Sequence, residues 1–479
     1  SPRVITYNQL YEEVVRLSTA LKKIGIKKGD RVAGFLPNIP ESIVAMLATT
    51  SLGAIWSSCS PDFGEKSVTD RFSQIEPKII FSANAYDYNG KRFNCLKKLN
   101  NILKTLPSIE QVVIIDFLKI KIDISDVPNS IDFDMLIDIK ADSMEFEHFP
   151  FDHPLYILYT SGTTGLPKSI VHGAGGTLLQ HKKEMMLHCN VQPNDVVFYY
   201  TTCGWMMWNW LVSFLSSGAA IVLYEGSPFY PNPKAMWDMI DKLNITIFGT
   251  SAKFIDSCKK QSISPKNFAD LKSLRMILST GSPLVDESFD YVYNEVKKDV
   301  QLASISGGTD LISCFALSSP VLPVYRGELQ CRGLGMDVDA FDANGYSVRN
   351  LKGELVCKTP FPSMPIYFWN DQDGDKYKNA YFKKFPDTWA HGDFIEINDH
   401  GGLKIFGRSD STLNPGGVRI GTAEIYRVVE SFDEVSDSLV IGQDWNGDQR
   451  VVLFLKLSQD ILKVNNNLTD KIKQSIRKN

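Results

Sequence analysis

The residues best suited to chemistry lie together in the run Tyr159-Thr160-Ser161-Gly162-Thr163-Thr164-Gly165-Leu166-Pro167-Lys168-Ser169. From Thr160 to Lys168 the chain supplies four aliphatic hydroxyls, two glycines and one lysine. Backbone N–H groups exposed at glycines, together with Ser and Thr hydroxyls, can surround phosphate oxygens, and a lysine brings a compensating charge. The run is not a G-x-x-x-x-G-K phosphate loop, because Pro167 stands where the second glycine would be. Kinase-type phosphoryl transfer is therefore disfavoured. A flexible surface loop could share this composition; what sets the run apart is the apolar strand pattern at 155–159 that feeds it.

Such a loop needs a frame, and the sequence signals one from its start. Thr6 and Gln9 form a capping box, Leu10, Val14, Leu17 and Leu21 fall on one helical face, and Gly25 closes the helix. A strand is expected at 31–36, a helix at 41–52 after the turn Asn38-Ile39-Pro40, and further strands at 78–81 and 111–116. The stretch 84–147 reads as polar, irregular connecting structure. From Asp152 the alternation resumes, with a strand at 155–159, a helix at 175–187 and strands at 245–249 and 276–279. Beyond Val324, glycine-rich turns between short alternating segments suggest antiparallel β or a small barrel. The fold class expected is α/β. A large domain of mainly parallel sheets layered with helices spans 1–408, with 324–408 its β-rich, barrel-like part. A hinge and a small, incomplete α+β domain follow at 409–479, with a helix pattern over 422–431 and a final Lys/Asn-rich stretch that closes no recognisable element.

Composition sets outer bounds. The 479 residues suggest about two or three structural units. With 51 basic and 55 acidic residues, the formal charge is -4 and no polybasic run marks a nucleic-acid footprint. Eight scattered cysteines form no C-x-x-C pair and no zinc-ligand cluster, so reduced thiols and a cytoplasmic setting are expected. The start, Ser-Pro-Arg-Val-Ile-Thr, shows no secretion signal and no initiator Met, which makes a fragment the expectation. The uncharged stretch 196–224 is about long enough to cross a bilayer. Gly204, Asn209 and Ser216-Ser217-Gly218 divide it into a helix-like and a strand-like piece, and membrane insertion is not expected.

The loop from Tyr159 matches [YT]-[ST]-S-G-[ST]-T-G-x-P-K throughout, and in this it resembles the superfamily of acyl-CoA synthetases, peptide-synthetase adenylation domains and luciferases. Further motifs follow in that family's order. Gly281-Ser282-Pro283 resembles a G-E-P-type turn placed against adenine. Ser304-Ile305-Ser306-Gly307-Gly308-Thr309-Asp310 resembles the strand and turn that run along the nucleotide and end in Thr-Glu. Ala390-His391-Gly392-Asp393 looks like the [ST]-G-D motif whose aspartate grips the ribose hydroxyls. Gly407-Arg408-Ser409-Asp410 and Gly416-Gly417-Val418-Arg419 resemble the hinge-and-arginine segment, with Asp410 at the hinge. Singly, each also reads as ordinary chain reversal or a solvated charge.

The resemblance implies two steps: a carboxylate attacks the α-phosphorus of ATP, and the thiol of coenzyme A then displaces AMP from the acyl-adenylate. Thr160, Ser161, Gly162, Thr163, Thr164, Gly165 and Lys168 would hold the β- and γ-phosphates, and Thr309 an α-phosphate oxygen. Arg408 and Arg419 would contact ribose or phosphate, since a guanidinium fork suits an oxyanion. Asp310 would hold Mg2+, although its side chain is one methylene shorter than the family's glutamate. Lys91 and Arg92 are candidate contacts for coenzyme A phosphates.

Relatives acting on acetate carry a tryptophan where Gly307 stands, so here the acid pocket is expected to be larger. Trp205, Met206, Met207, Trp208 and Asn209 would form the opposite wall; a plain core helix is the alternative. Together these residues resemble the acetoacetate-activating branch. The family's C-terminal basic loop with its adenylating lysine has no counterpart after Ile441, so the chain is expected to be truncated and impaired in adenylation. Rival readings are a propionyl- or medium-chain acyl-CoA synthetase, a catalytically silent nucleotide-binding protein, and a module serving a carrier protein. Oligomeric state stays open.

Overall fold

Thr6 caps the helix Tyr7–Lys23 as its sequence requires. The Gln9 backbone N–H donates to Thr6 Oγ1 at 3.2 Å, the Thr6 N–H donates to Gln9 Oε1 at 2.8 Å, and Gly25 leaves the helix at φ +95°. In this computed structural model the described residues are 2–478 apart from 120–122, 142, 145, 161–165, 410–411, 414–419, 446–447 and 459–465. Leu17 and Leu21 pack with the helix Pro40–Ser51 against one face of an eight-stranded sheet. Its order is Tyr367–Phe368, Lys168–Gly173, Pro154–Thr160, Ile55–Cys59, Arg31–Phe35, Ile79–Ala83, Gln111–Ile115 and Ser130–Asp132. The run from Pro154–Thr160 to Ser130–Asp132 is parallel, and the first two strands are antiparallel to their neighbours.

Ile55–Cys59 lies near the middle of that sheet and is buried throughout, yet its sequence gave little sign of it. Its polar pair is satisfied by carbonyls: Ser57 Oγ donates to Ile157 O at 2.8 Å and Ser58 Oγ to Cys203 O at 2.7 Å. The stretch expected to be irregular is more structured than its polarity suggested. It holds the hairpin Ala85–Tyr88 and Lys91–Asn94, the helix Leu96–Leu103, and the helix Phe133–Ile137. Each short element buries only a few side chains, such as Leu99 and Ile102, so no long periodic pattern forms.

A second sheet is parallel throughout: Ala220–Val222, Val196–Tyr199, Ile247–Ser251, Met276–Thr280, Gln301–Ser304. The helix Met206–Ser213 sits between the two sheets. Its Trp208 and Val212 join the core of the first, and Trp210 and Leu211 that of the second. The uncharged stretch thus breaks into strand, helix and strand, and among the described residues no helix is long and apolar enough to cross a membrane. The antiparallel part expected beyond Val324 begins already at Ser306, with the three-stranded sheet Ser306–Gly308, Ser313–Leu317, Cys331–Arg332. Four more antiparallel strands follow: Val338–Phe341, Gly353–Cys357, Trp389–Ile397 and Leu403–Arg408.

The C-terminal part carries the expected helix, Thr422–Val429. It also carries two elements not read from the sequence, a long hairpin of Val435–Trp445 with Asp448–Leu457 and a closing helix, Asn466–Lys478. Leu468 and Ile472 bury that last helix against Ile425 and Val429. Its Lys- and Asn-rich remainder masks an apolar stripe only two side chains wide at the core.

Candidate active site

The hairpin Pro154–Thr160 and Lys168–Gly173 pairs Thr160 with Lys168, so the hydroxyl-rich loop closes between strands fixed in the first sheet. Ser161, Gly162, Thr163, Thr164 and Gly165 lie outside the described residues. At the loop's two feet, Thr160 Oγ1 and Ser169 Oγ are buried and have no hydrogen-bond partner among the described residues. Lys168 points to Asp310: Nζ stands 3.6 Å from Oδ1, above the rings of Tyr381 and Phe368 at 5.6 and 5.8 Å. Two residues 142 positions apart in sequence thereby form one charged pair (310 minus 168).

Tyr381 is a site residue the sequence did not reveal. Its hydroxyl donates to Asp310 Oδ1 at 2.6 Å, and its ring stacks on Trp389 at 3.6 Å between centroids and 13° between planes. Only the tertiary fold brings it there, from the end of the helix Asp375–Tyr381.

Thr309 and Asp310 occupy the turn between Ser306–Gly308 and Ser313–Leu317. Two buried histidines from the loop's own strand and the following helix Ala174–Lys183 hold it. His172 Nε2 lies 2.9 Å from Thr309 O, and His181 Nε2 lies 2.5 Å from Ile312 O. Burial pushes the His172 imidazole down to about 3 and lowers that of His181 as well, because the charged form loses its water. The strand register sets Gly307 opposite Cys314, at a bulge. A Cβ there would fall 1.9 Å from Ser313 O and 2.5 Å from Cys314 Cα. Gly307 thus serves a close backbone approach, and the direction a side chain would take is filled by the neighbouring strand. This differs from the expected open acid pocket.

The other motifs converge on the same region. Thr280 Oγ1 donates to Ile305 O at 3.0 Å, joining the turn Gly281, Ser282, Pro283 to the segment Ser304, Ile305, Ser306. Gly281 takes φ +91°, the left-handed region that favours glycine. His391 sits 3.7 Å from where a Cβ on Gly308 would be, and its Nε2 lies 3.6 Å from Asp393 Oδ2. Asp393 pairs in register with Arg408, whose side chain lies outside the described part, as do Asp410 and Arg419 altogether. The buried Glu354 ties these turns together. It accepts from Gly392 N–H at 3.1 Å, from Ser409 Oγ at 2.9 Å and from Lys384 Nζ at 2.6 Å. The carboxyl ends of the parallel strands Met276–Thr280 and Gln301–Ser304 lead into the segments 281–283 and 305–310, the side of such a sheet where ligands bind.

The expected acid wall divides. Trp205 is exposed, at 65%, at the N-cap of the helix Met206–Ser213, whereas Met206 is buried in the core of the first sheet and Met207 packs, half-buried, against the cores of both sheets. Trp208 is instead a core residue: it is fully buried, and its Nε1–H donates to Asn38 Oδ1 at 3.0 Å. Asn209 is 1% exposed; the Tyr156 hydroxyl faces it, but neither amide atom makes a hydrogen bond of normal geometry. Among the described residues no cluster of His, Cys, Asp and Glu is built to cage a metal ion, and Asp310 is the carboxylate beside Lys168.

A strand-fed loop, an adjoining Thr-Asp turn and an aspartate strand around one crevice are the parts of a nucleotide-activating enzyme. The chain belongs to the AMP-binding enzyme family, whose model matches residues 1–368. It is 52% identical over 462 residues to acetoacetyl-CoA synthetase of Mus musculus, covering 95% of this chain and 69% of the relative. It is also 52% identical over 475 residues to acetoacetyl-coenzyme A synthetase of Rhizobium meliloti, covering 99% and 73%. Among solved structures, acetoacetyl-CoA synthetase from Streptomyces lividans superposes with a TM-score of 0.92 at 43% identity, covering all of this chain and 72% of that one. An anthranilate CoA ligase bound to anthranoyl-AMP superposes at 0.83 with 18% identity, over 99% of this chain and 86% of that one, and shares the fold.

Proposed function

We propose that the protein is an ATP-dependent acid–CoA ligase that activates acetoacetate. A carboxylate oxygen of the acid attacks the α-phosphorus, the bond to pyrophosphate breaks, and an acyl-adenylate forms. The thiol of coenzyme A then attacks the acyl carbon, a C–S bond forms, AMP leaves, and the thiol proton passes to solvent. The observation that carries this reading is the Lys168–Asp310 pair at the mouth of the loop, found in a chain half identical to acetoacetyl-CoA synthetases.

The protein's part in the first step is positioning and charge neutralisation, because both reactants are anions. Lys168 would turn from Asp310 toward the β- and γ-phosphates, while the hydroxyls at the loop's feet, buried and without a partner among the described residues, supply donors. Thr309 would donate to an α-phosphate oxygen and Asp393 accept from the ribose hydroxyls. Arg408 and Arg419 would face the same nucleotide, with Asp410 as hinge. A lone carboxylate with a hydroxyl donor fits Mg2+ that takes most of its oxygen ligands from phosphates and water, so Asp310 is the proposed protein ligand. When bound, Mg2+ screens the phosphate charge. Trp205, Met206 and Met207 would line the acid. Lys91 and Arg92 lie on an exposed hairpin suited to coenzyme A phosphates, Arg92 being paired with Asp87 at 2.9 Å. All eight cysteines are free, which suits a reducing, cytoplasmic setting.

The test is ATP- and CoA-dependent AMP release with acetoacetate, acetate, propionate and butyrate compared at equal concentrations. The expected order puts acetoacetate first. Faster turnover of propionate or butyrate would move the assignment to a different short-chain synthetase.

A further inference from the structure

We infer that His172 and His181 are positioning residues that clamp the turn 309–312, and that His181, through Ser213, couples the acid side of the crevice to the nucleotide side. The coupling rests on the proposed function; the clamp rests on geometry alone.

Ile312 takes φ +50° while fully buried. For a β-branched residue this left-handed conformation is a genuine outlier, and it persists only where surrounding bonds enforce it. The enforcing bonds are visible. The Ile312 N–H donates to Thr309 O at 3.2 Å, and the carbonyls of Thr309 and Ile312 each face an imidazole nitrogen, at 2.9 and 2.5 Å. A carbonyl only accepts, so Nε2 carries the proton on both rings and the tautomers are fixed. His172 is 1% exposed and His181 fully buried, so water cannot replace either bond. The turn so held is the one that presents Thr309 and Asp310.

Each histidine also reports to a second part of the crevice. His172 stands on the strand Lys168–Gly173, whose first residue faces Asp310. His181 stands on the helix that also grips the next residues of the turn: Gln180 Nε2 donates to Ser313 Oγ at 2.9 Å, and Ser313 Oγ donates to Glu184. With its Nε2 proton on Ile312 O, His181 accepts at Nδ1 from the Ser213 hydroxyl at 2.8 Å, and Ser213 is the last residue of the helix Met206–Ser213. The first residues of that helix are the proposed acid wall. A shift of the helix on acid binding therefore reaches the Thr309–Asp310 turn through one hydroxyl and one ring, a contiguous path between two sites.

Both histidines lie outside the segments 159–169, 281–283, 304–310, 390–393 and 407–419. The variants His172→Phe and His181→Phe keep the ring volume and remove the donor, whereas His172→Gln keeps an amide N–H at the same reach. Ser213→Ala removes only the link to the helix. For each, binding of a fluorescent ATP analogue is measured with and without acetoacetate, beside steady-state kinetics and a urea unfolding midpoint. His172→Phe is expected to lower kcat/KM for ATP by about tenfold or more through misplaced groups, with His172→Gln recovering most of it. Ser213→Ala is expected to leave the unfolding midpoint and acid-free ATP binding unchanged while reducing the acid's effect on ATP affinity by about fivefold. If the folded Phe variants bind ATP within twofold of the native protein, the clamp is overturned. An unchanged acid effect in Ser213→Ala overturns the coupling. Weakened ATP binding in the Phe variants, in a protein that shows no turnover of acetoacetate, would keep the clamp and remove the acid assignment.

Discussion

Replacing Gly307 by alanine separates two meanings of the same glycine. If its smallness opened an acid pocket, a methyl group would narrow substrate choice and leave the fold alone. The geometry points elsewhere: the added Cβ would lie 1.9 Å from Ser313 O, where ordinary contact begins near 3.4 Å, a shortfall of 1.5 Å (3.4 minus 1.9). The second obstacle, Cys314 Cα at 2.5 Å, is also backbone and cannot rotate away. To make room, Ser313 must move, although Gln180 and Glu184 hold its hydroxyl in a fully buried network. Overpacking costs about 1–3 kcal/mol, and weakening the Ser313 bonds adds about 1 kcal/mol, so Gly307→Ala should destabilise by about 2–4 kcal/mol. The adjacent Gly308 is the control. Its Cβ would meet nothing nearer than His391 at 3.7 Å, and Gly308→Ala should stay within about 1 kcal/mol of native stability. Urea unfolding gives the stabilities, and kcat/KM across acetate, acetoacetate and butyrate gives the specificity. Gly307→Ala should lose activity toward all three acids together. A variant of native stability with a sharpened preference for acetate would refute the backbone-approach assignment.

Three further perturbations probe separate parts of the structure. Tyr381→Phe removes the hydroxyl bound to Asp310 but keeps the stack on Trp389; a hydrogen bond to a charged group contributes about 1.5–3 kcal/mol, so kcat/KM for MgATP should fall about 10- to 100-fold with the fold intact. Glu225, half-buried and accepting from Asn38 N–H at 2.7 Å, has its carboxyl pushed up to about 7 by desolvation. Its protonated form is favoured in the fold, so its contribution is fully present below about 4.5 and lost as pH rises to about 7. Between pH 4.5 and 8 the native protein should lose about 3 kcal/mol relative to Glu225→Gln, read from unfolding midpoints across that range; parallel curves would exclude it. Finally, seven of the eight free thiols are buried, and burial pushes Cys59, Cys95 and Cys189 up to about 12. A thiol reagent should therefore label partly exposed Cys331 first in the native protein, with the others reacting only on unfolding.

Much of the frame was legible because it follows local rules. The capping box at Thr6 and the apolar runs at Val32 and Ile79 each carry their own signal within a few residues. The candidate site segments, from Thr160 to Asp393, were read from short local motifs in the same way, and the fold sets Lys168 beside Asp310 and His391 beside Gly308. What escaped depends on partners far away in the chain. Ser57 and Ser58 look polar until the carbonyls of Ile157 and Cys203 satisfy them in the sheet interior. Tyr381 reaches Asp310 only across 71 positions, and His172 reaches Thr309 across 137. Trp208 shows the converse error. An indole beside two methionines suggested a substrate wall, but its N–H is consumed by Asn38 and its ring by the core. Side-chain type alone does not tell which face of a short helix meets solvent, least of all when both faces are covered by sheets.

The most direct measurement is displacement of a bound fluorescent ATP analogue by a non-hydrolysable acetoacetyl-adenylate mimic, compared with the acetyl and butyryl mimics. The acetoacetyl compound should displace the nucleotide at the lowest concentration, and Asp393→Ala should weaken all three. A native protein from which none of the mimics displaces the nucleotide would contradict adenylate formation at this crevice.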